Sequence, residues 1–108
     1  MNAVTQITPA GLKALMDAGS PHCLVDVREP WEVALARIDG SVDIPLNEIP
    51  ARLQELDRQA AIIVMCKLGG RSQRAAEFLA SKGFDRVSNL QGGIDAWARD
   101  IDPQLPAY

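Results

Sequence analysis

Short apolar runs alternate with amphipathic stretches along the whole chain. Gln6-Ile7 ends a first short strand, and Thr8-Pro9 supplies an N-cap and a first helical residue. Leu12, Leu15 and Met16 then keep helical spacing until Gly19 stops it. Cys23 to Val27 shows little alternation, the pattern of a strand covered on both faces. Trp31, Leu35 and Ile38 lie four and three apart, which predicts a short helix after Pro30, broken at Gly40-Ser41. Val42 to Ile44 predicts a third strand ending at Pro45. Leu46, Ile49, Leu53 and Leu56 keep a helical stripe in which Pro50 marks the first turn of a regular helix. Ala61 to Met65 predicts a fourth strand that runs straight into Cys66. A helix over Ser72 to Lys82 turns Ala75, Phe78 and Leu79 inward and ends at Gly83. Val87 to Leu90 predicts a fifth strand, Gly92-Gly93 a turn, and Ile94 to Arg99 a last helix.

Strands that alternate with helices argue for an α/β layer fold with a mainly parallel sheet. The 108 residues suit a single domain with its core over about 4–99. Residues 100–108 hold two prolines and read as an irregular tail. With 11 Lys and Arg against 14 Asp and Glu, the net charge is −3, which argues against a nucleic-acid partner. A single positive pocket is still compatible with that balance. No apolar run approaches the roughly 18 residues that span a bilayer, so no membrane association is expected. The opening stretch from Met1 to Gln6 lacks the basic and apolar regions of a secretory signal. Two cysteines, Cys23 and Cys66, are too few and too far apart for a disulfide scaffold or a zinc site, which points to the cytoplasm and to no metal or cofactor.

The chemistry concentrates after the fourth strand, in Met65-Cys66-Lys67-Leu68-Gly69-Gly70-Arg71-Ser72. In parallel sheets ligands sit beyond the carboxyl ends of the strands, which is where Cys66 falls. A strand, a short glycine-bearing loop and a helix N-terminus together aim backbone N–H groups inward and favour an anion. A cysteine at the lip of that cradle is expected to ionise readily. Arg71 is placed to close the loop and hold an anion through its fork. Gly69 and Gly70 allow the tight turn. The competing reading is a plain βα connection in which Cys66 is a small buried hydrophobe.

Cys66 to Ser72 resembles the active-site loop of the rhodanese family, a Cys and an Arg separated by four residues, usually with a Gly between. Leu24-Val25-Asp26-Val27-Arg28-Glu29 is similar to that family's Asp-Val-Arg-Glu strand end. Ile38 to Pro45 resembles its Ile-x-Gly-Ala-x-x-Ile-Pro segment, and Asn89 to Trp97 its Leu-x-Gly-Gly-x-x-x-Trp ending. The matches run in order from Leu24 to Trp97. The resemblance implies a three-layer α/β/α domain with five mainly parallel strands. It also implies sulfur transfer through a persulfide on Cys66, from a donor such as thiosulfate to an acceptor such as cyanide or a thiol. The amides of Lys67 to Ser72 would stabilise the persulfide anion, with Arg71 and Lys67 drawing in the donor. Ser72 would either bond the sulfur or cap the helix.

Two positions depart from the family pattern. Leu68 stands where relatives often carry a polar or basic residue, and Arg37 where a His is common. Leu68 makes the pocket mouth more apolar and bears on donor choice. Other residues read as structural: Cys23, Trp31 and Trp97 as core, Asp26 and Arg28 as loop-orienting partners, His22 as a surface residue, and Gly92-Gly93 as a close approach near the active loop. The alternatives are a sulfur carrier or regulatory module loaded by a protein donor in a sulfur relay, and a phosphatase or arsenate reductase using a similar anion loop. Phosphatase loops of this kind place five residues between Cys and Arg and a His before the Cys, whereas this chain has four residues and Met65.

Overall fold

The alternation of strands and helices closes into one sheet. The structure, a computed structural model, describes residues 3–108; Met1 and Asn2, the first residues of the stretch read above for a signal, lie outside it. The strands are β1 (Thr5–Ile7), β2 (Cys23–Asp26), β3 (Val42–Asp43), β4 (Ile62–Met65) and β5 (Val87–Leu90). All pair in parallel in the order β1-β5-β4-β2-β3, which puts β4 at the centre. The helices are α1 (Pro9–Asp17), α2 (Pro30–Leu35), α3 (Gly70–Ser81) and α4 (Gly93–Asp100).

Side chains alternate across the sheet, and this sorts the core into two layers. On one face Val25, Val27, Ile62, Val64 and Cys66 pack with Ala75, Ala76 and Leu79 of α3. On the other, Leu24, Ile63, Met65 and Leu90 pack with Leu12 of α1 and with Ile94 and Trp97 of α4. Cys66 therefore continues the β4 alternation and points toward the α3 face.

Thr8 caps α1 by accepting from the Gly11 N–H at 3.0 Å, with Pro9 at the first turn. The stripe from Leu46 to Leu56 does not form a regular helix. It forms two 3₁₀ segments, Leu46–Glu48 and Pro50–Glu55. Pro50 has no N–H to give to an i−4 carbonyl, and the surrounding bonds close three residues back: Ile49 to Leu46, Arg52 to Ile49, Leu56 to Leu53. Ile49 and Leu56 are nonetheless buried, so the stripe keeps its apolar face.

Trp31 departs from expectation. Trp97 is buried, but Trp31 is 63% exposed and Leu35 is 50% exposed. The reason is that α2 has six residues and turns Glu32, not Trp31, inward. The tail after α4 has no regular structure, yet Ile101, Leu105 and Tyr108 pack against the second core layer. Cys23 is half-buried and packs against the first layer, and His22 lies in the loop before β2 with its Nδ1 2.8 Å from the Ser20 carbonyl.

Candidate active site

Cys66 follows the last residue of the central strand, and α3 begins four residues later. Between them Gly69 takes φ +111°, a conformation that side-chain-bearing residues resist. Gly70 does not need to be glycine. Its φ is ordinary, and a Cβ built there meets nothing within 4 Å. The turn rests on Gly69 alone.

The turn aims donors at the sulfur. Gly69 N–H lies 3.0 Å and Ser72 N–H 3.4 Å from Cys66 Sγ, and the Ser72 hydroxyl oxygen lies 3.2 Å away. Burial pushes the Cys66 thiol up. The Ser72 hydroxyl and the amides of Ser72, Gly69 and Leu68 outweigh that and hold its pKa below the ordinary thiol value. The N-terminus of α3 acts in the same sense. For Cys23 burial acts unopposed and raises the thiol.

Ser72 is fully buried, and its hydroxyl also lies 2.5 Å from Asn89 Oδ1. One hydroxyl proton serves both acceptors: turned to Asn89 it leaves a lone pair facing a thiol, and turned to Sγ it serves a thiolate. The helix-capping position is held by Gly69, so of the two placements expected for Ser72 the structure shows the one facing the sulfur. Asn89, on β5, donates from Nδ2 to the Gly69 carbonyl at 3.2 Å and to Gln6 Oε1 at 3.1 Å. It thus braces both the turn and the serine.

The far side of the loop is held by α4. Ile94 N–H donates to the Cys66 carbonyl at 2.9 Å and Asp95 N–H to the Lys67 carbonyl at 3.1 Å. A Cβ at Gly93 would lie 2.3 Å from the Lys67 oxygen and 2.4 Å from the Cys66 oxygen. The second glycine of the Gly92-Gly93 pair is what lets α4 approach the loop so closely.

Both loop cations are already partnered. Lys67 Nζ bonds the Asp95 carboxylate at 2.8 and 3.0 Å. Arg71 directs its fork at Glu32, with Nη1–Oε1 at 2.6 Å and Nη2–Oε2 at 2.9 Å. The fork expected to hold an anion is therefore engaged by a carboxylate, which takes two of its five N–H donors. Arg71 holds Glu32 down to a pKa of about 2 against the opposing effect of burial, helped by the Glu29 amide and Tyr108. The Arg71 pKa is raised in return. Leu68 is 67% exposed at the rim of the loop.

Beneath Glu32 lies a second, fully buried pair, Asp26 and Arg28. Arg28 Nε and Nη2 reach Asp26, Nη2 also reaches the Ala36 carbonyl, and Nη1 reaches Tyr108 Oη at 2.8 Å. The two residues orient the end of β2, α2 and the tail, as expected for loop-orienting partners. Arg37 stays at the surface with Asp43 and Ser41.

Sequence reasoning missed Glu32, Asn89, Asp95 and Tyr108. A Glu three residues after Glu29, in the first turn opened by Pro30, has a local signal, since it completes a capping box. The others have none, because their partners lie 17 to 83 residues away.

Residues 8–100 match the rhodanese-like domain. This chain belongs to the rhodanese-like domain family. It is 41% identical over 76 residues to a sulfurtransferase of Allochromatium vinosum, covering 70% of this chain and 71% of that one. It is 39% identical over 110 residues to the adenylyltransferase and sulfurtransferase MOCS3-1 of Zea mays, covering 95% of this chain but 24% of that protein. The chain therefore spans about a quarter of that relative's length. A rhodanese-like domain protein from Staphylococcus aureus superposes with a TM-score of 0.84 at 30% identity, covering 97% of this chain and 99% of that one. The five-stranded α/β/α architecture expected from the sequence is that of this family, and every strand pairing is parallel. Among the described residues no helix is long and apolar enough to cross a membrane.

Proposed function

We propose that this rhodanese-like domain is a sulfurtransferase whose nucleophile is Cys66 and whose donor is thiosulfate. The observation that carries the reading is the ring of donors on Sγ: two amides and one hydroxyl at 3.0 to 3.4 Å. Such a ring stabilises a sulfur anion and needs no histidine as general base.

The Cys66 thiolate attacks the outer sulfur of thiosulfate. A new S–S bond forms, the bond within thiosulfate breaks, and sulfite leaves with the electron pair. Cyanide or a thiolate then attacks the outer sulfur of the Cys66 persulfide, and Cys66 leaves as thiolate. The two half-reactions predict ping-pong kinetics. In this scheme the amides from Lys67 to Ser72, that of Gly70 among them, line the persulfide, and Gly69 gives the loop its shape. Arg71, through the N–H groups that Glu32 leaves uncommitted, and Lys67 draw in the anionic donor. Leu68 contributes an apolar rim. The cycle requires reduced thiols, in keeping with a cytoplasmic setting.

A second reading, a sulfur relay loaded by a protein donor, has its own support. The exposed Leu68 at the loop rim and Trp31 on α2 offer apolar surface to a macromolecular donor. Both readings use the same persulfide. The phosphatase alternative draws less support, since a loop of four intervening residues leaves less room for a tetrahedral oxyanion at the sulfur.

The test is intact-protein mass after incubation with thiosulfate, for the natural chain and Cys66→Ser side by side. A gain of about 32 Da confined to the natural chain is expected. The same gain in Cys66→Ser would overturn the assignment of the nucleophile. No gain with thiosulfate but a gain with a protein persulfide would move the reading to the relay.

A further inference from the structure

The segment after α4 folds back to the active loop, where Tyr108 meets Lys67 and Glu32. Tyr108 is the only tyrosine of the chain. Its hydroxyl accepts from Arg28 Nη1 at 2.8 Å and donates to Glu32 Oε2 at 2.9 Å. The phenol oxygen therefore bridges the two ion pairs, Asp26–Arg28 below and Glu32–Arg71 above. Its ring lies 4.8 Å from Lys67 Nζ and meets Trp31 edge-on, with centroids 6.1 Å apart. One side chain thus touches Lys67 at the start of the loop and, through Glu32, connects to Arg71 at its end.

Packing alone does not account for this arrangement. A ring would fill the same space without an oxygen. The oxygen completes the hydrogen bonding of Glu32, whose Oε1 takes Arg71 and the Glu29 amide while Oε2 takes Arg71 and Tyr108. With four donors in place the carboxylate is fixed in one rotamer, and the guanidinium it grips is fixed with it. Without the phenol, Oε2 loses one donor and Arg28 Nη1 loses its shortest acceptor. Glu32 is then held by three donors instead of four, and its hold on the orientation of Arg71 loosens.

We propose that Tyr108 is a positioning residue of the active site: through Glu32 it holds Arg71 in the orientation that captures an anionic donor. The proposal rests on the reading above that Arg71 attracts the donor. It adds that the segment after α4 belongs to the working site.

The test uses Cys66 alkylation, which does not depend on turnover. Iodoacetate and iodoacetamide have similar shapes and differ in charge, so their rate ratio at Cys66 reads the positioned positive charge. Rates are followed by peptide mapping, to separate Cys66 from Cys23, in the full chain and in Tyr108→Phe, Arg71→Ala and the double variant. Tyr108→Phe keeps the ring and removes only the hydroxyl. It should lower the iodoacetate preference by about fivefold, the size of one ordinary hydrogen bond, with iodoacetamide unchanged. Arg71→Ala should lower it at least as far, and the double variant no further. In parallel, Tyr108→Phe should raise KM for thiosulfate with kcat nearly constant.

An unchanged ratio in Tyr108→Phe, with the ratio lost in Arg71→Ala, would leave Tyr108 as packing and overturn the proposal alone. An unchanged ratio in Arg71→Ala would remove the reading that Arg71 serves anions, and the proposal would fall with it. A loss in the double variant equal to the sum of the single losses would show that Tyr108 does not act through Arg71, and would overturn the route proposed.

Discussion

Glu32 grips Arg71 through two parallel bonds of 2.6 and 2.9 Å, joining α2 to the first turn of α3 across the mouth of the cysteine loop. The pair has a defined pH signature. Glu32 titrates at about 2 in the folded chain against an ordinary carboxyl value of 4.5. A depressed carboxyl contributes stability that is fully present above its unfolded pKa and is lost as pH falls through the folded one. Glu32→Gln should therefore be less stable than the natural chain from about pH 5 upward. The gap should close between roughly pH 4.5 and pH 2. Denaturant melts of both chains across that range check it. A gap independent of pH would show that the charge of Glu32 adds nothing.

The two cysteines should separate by reactivity. The donors around Cys66 lower its pKa while burial raises that of Cys23. With neutral iodoacetamide, Cys66 should reach half its maximal rate at lower pH than Cys23. Ser72→Ala removes one of the donors and should move the Cys66 profile to higher pH. It should also slow sulfur transfer by about tenfold or more, the usual worth of a hydrogen bond to a charged group. An unmoved profile would assign the stabilisation to the backbone amides alone.

The glycines near the loop should tolerate alanine unequally. At Gly93 φ is +62° and a Cβ would collide with the Lys67 and Cys66 carbonyls. Gly93→Ala should cost about 3 kcal/mol or more. At Gly70 the space is open and the backbone is helical. Gly70→Ala should be neutral or stabilising by up to about 1 kcal/mol, because it restricts the unfolded chain. Urea denaturation of the two variants decides the matter, and equal costs would contradict the geometry.

The Asp26–Arg28 pair should be intolerant of half-replacement. Arg28→Met leaves the Asp26 carboxylate buried without its partner, which typically costs about 3 to 5 kcal/mol. It also frees Tyr108 Oη of one of its two partners. Replacing both residues with apolar ones of similar size should cost less than Arg28→Met alone. Equilibrium unfolding of the single and double variants makes the comparison.

The five strands and the helix after Cys66 were legible because their signals are local: apolar runs, proline at first turns, glycine at stops. The cysteine loop was legible for the same reason, since Cys66, Gly69, Arg71 and Ser72 lie within seven consecutive residues. Periodicity misjudged two elements. It counts apolar spacing but not hydrogen-bond closure, so the Leu46 to Leu56 stripe read as a regular helix. It assigns large aromatics to the core, so Trp31 read as buried although α2 spends its inward face on Glu32.

The sequence by itself determined which strands form, that they pair in parallel around a buried centre, and that a cysteine stands at the carboxyl end of one of them. Those outcomes depend on neighbours a few residues apart and on the burial of alternating side chains. Only the tertiary structure decided what surrounds the sulfur and its cations. Asn89 reaches Ser72 because β5 lies beside β4, Glu32 reaches Arg71 because β2 lies on the other side, and Tyr108 reaches Glu32 because the tail folds back over α2. Such contacts are set by which strand ends become neighbours, and no local spacing along the chain encodes that.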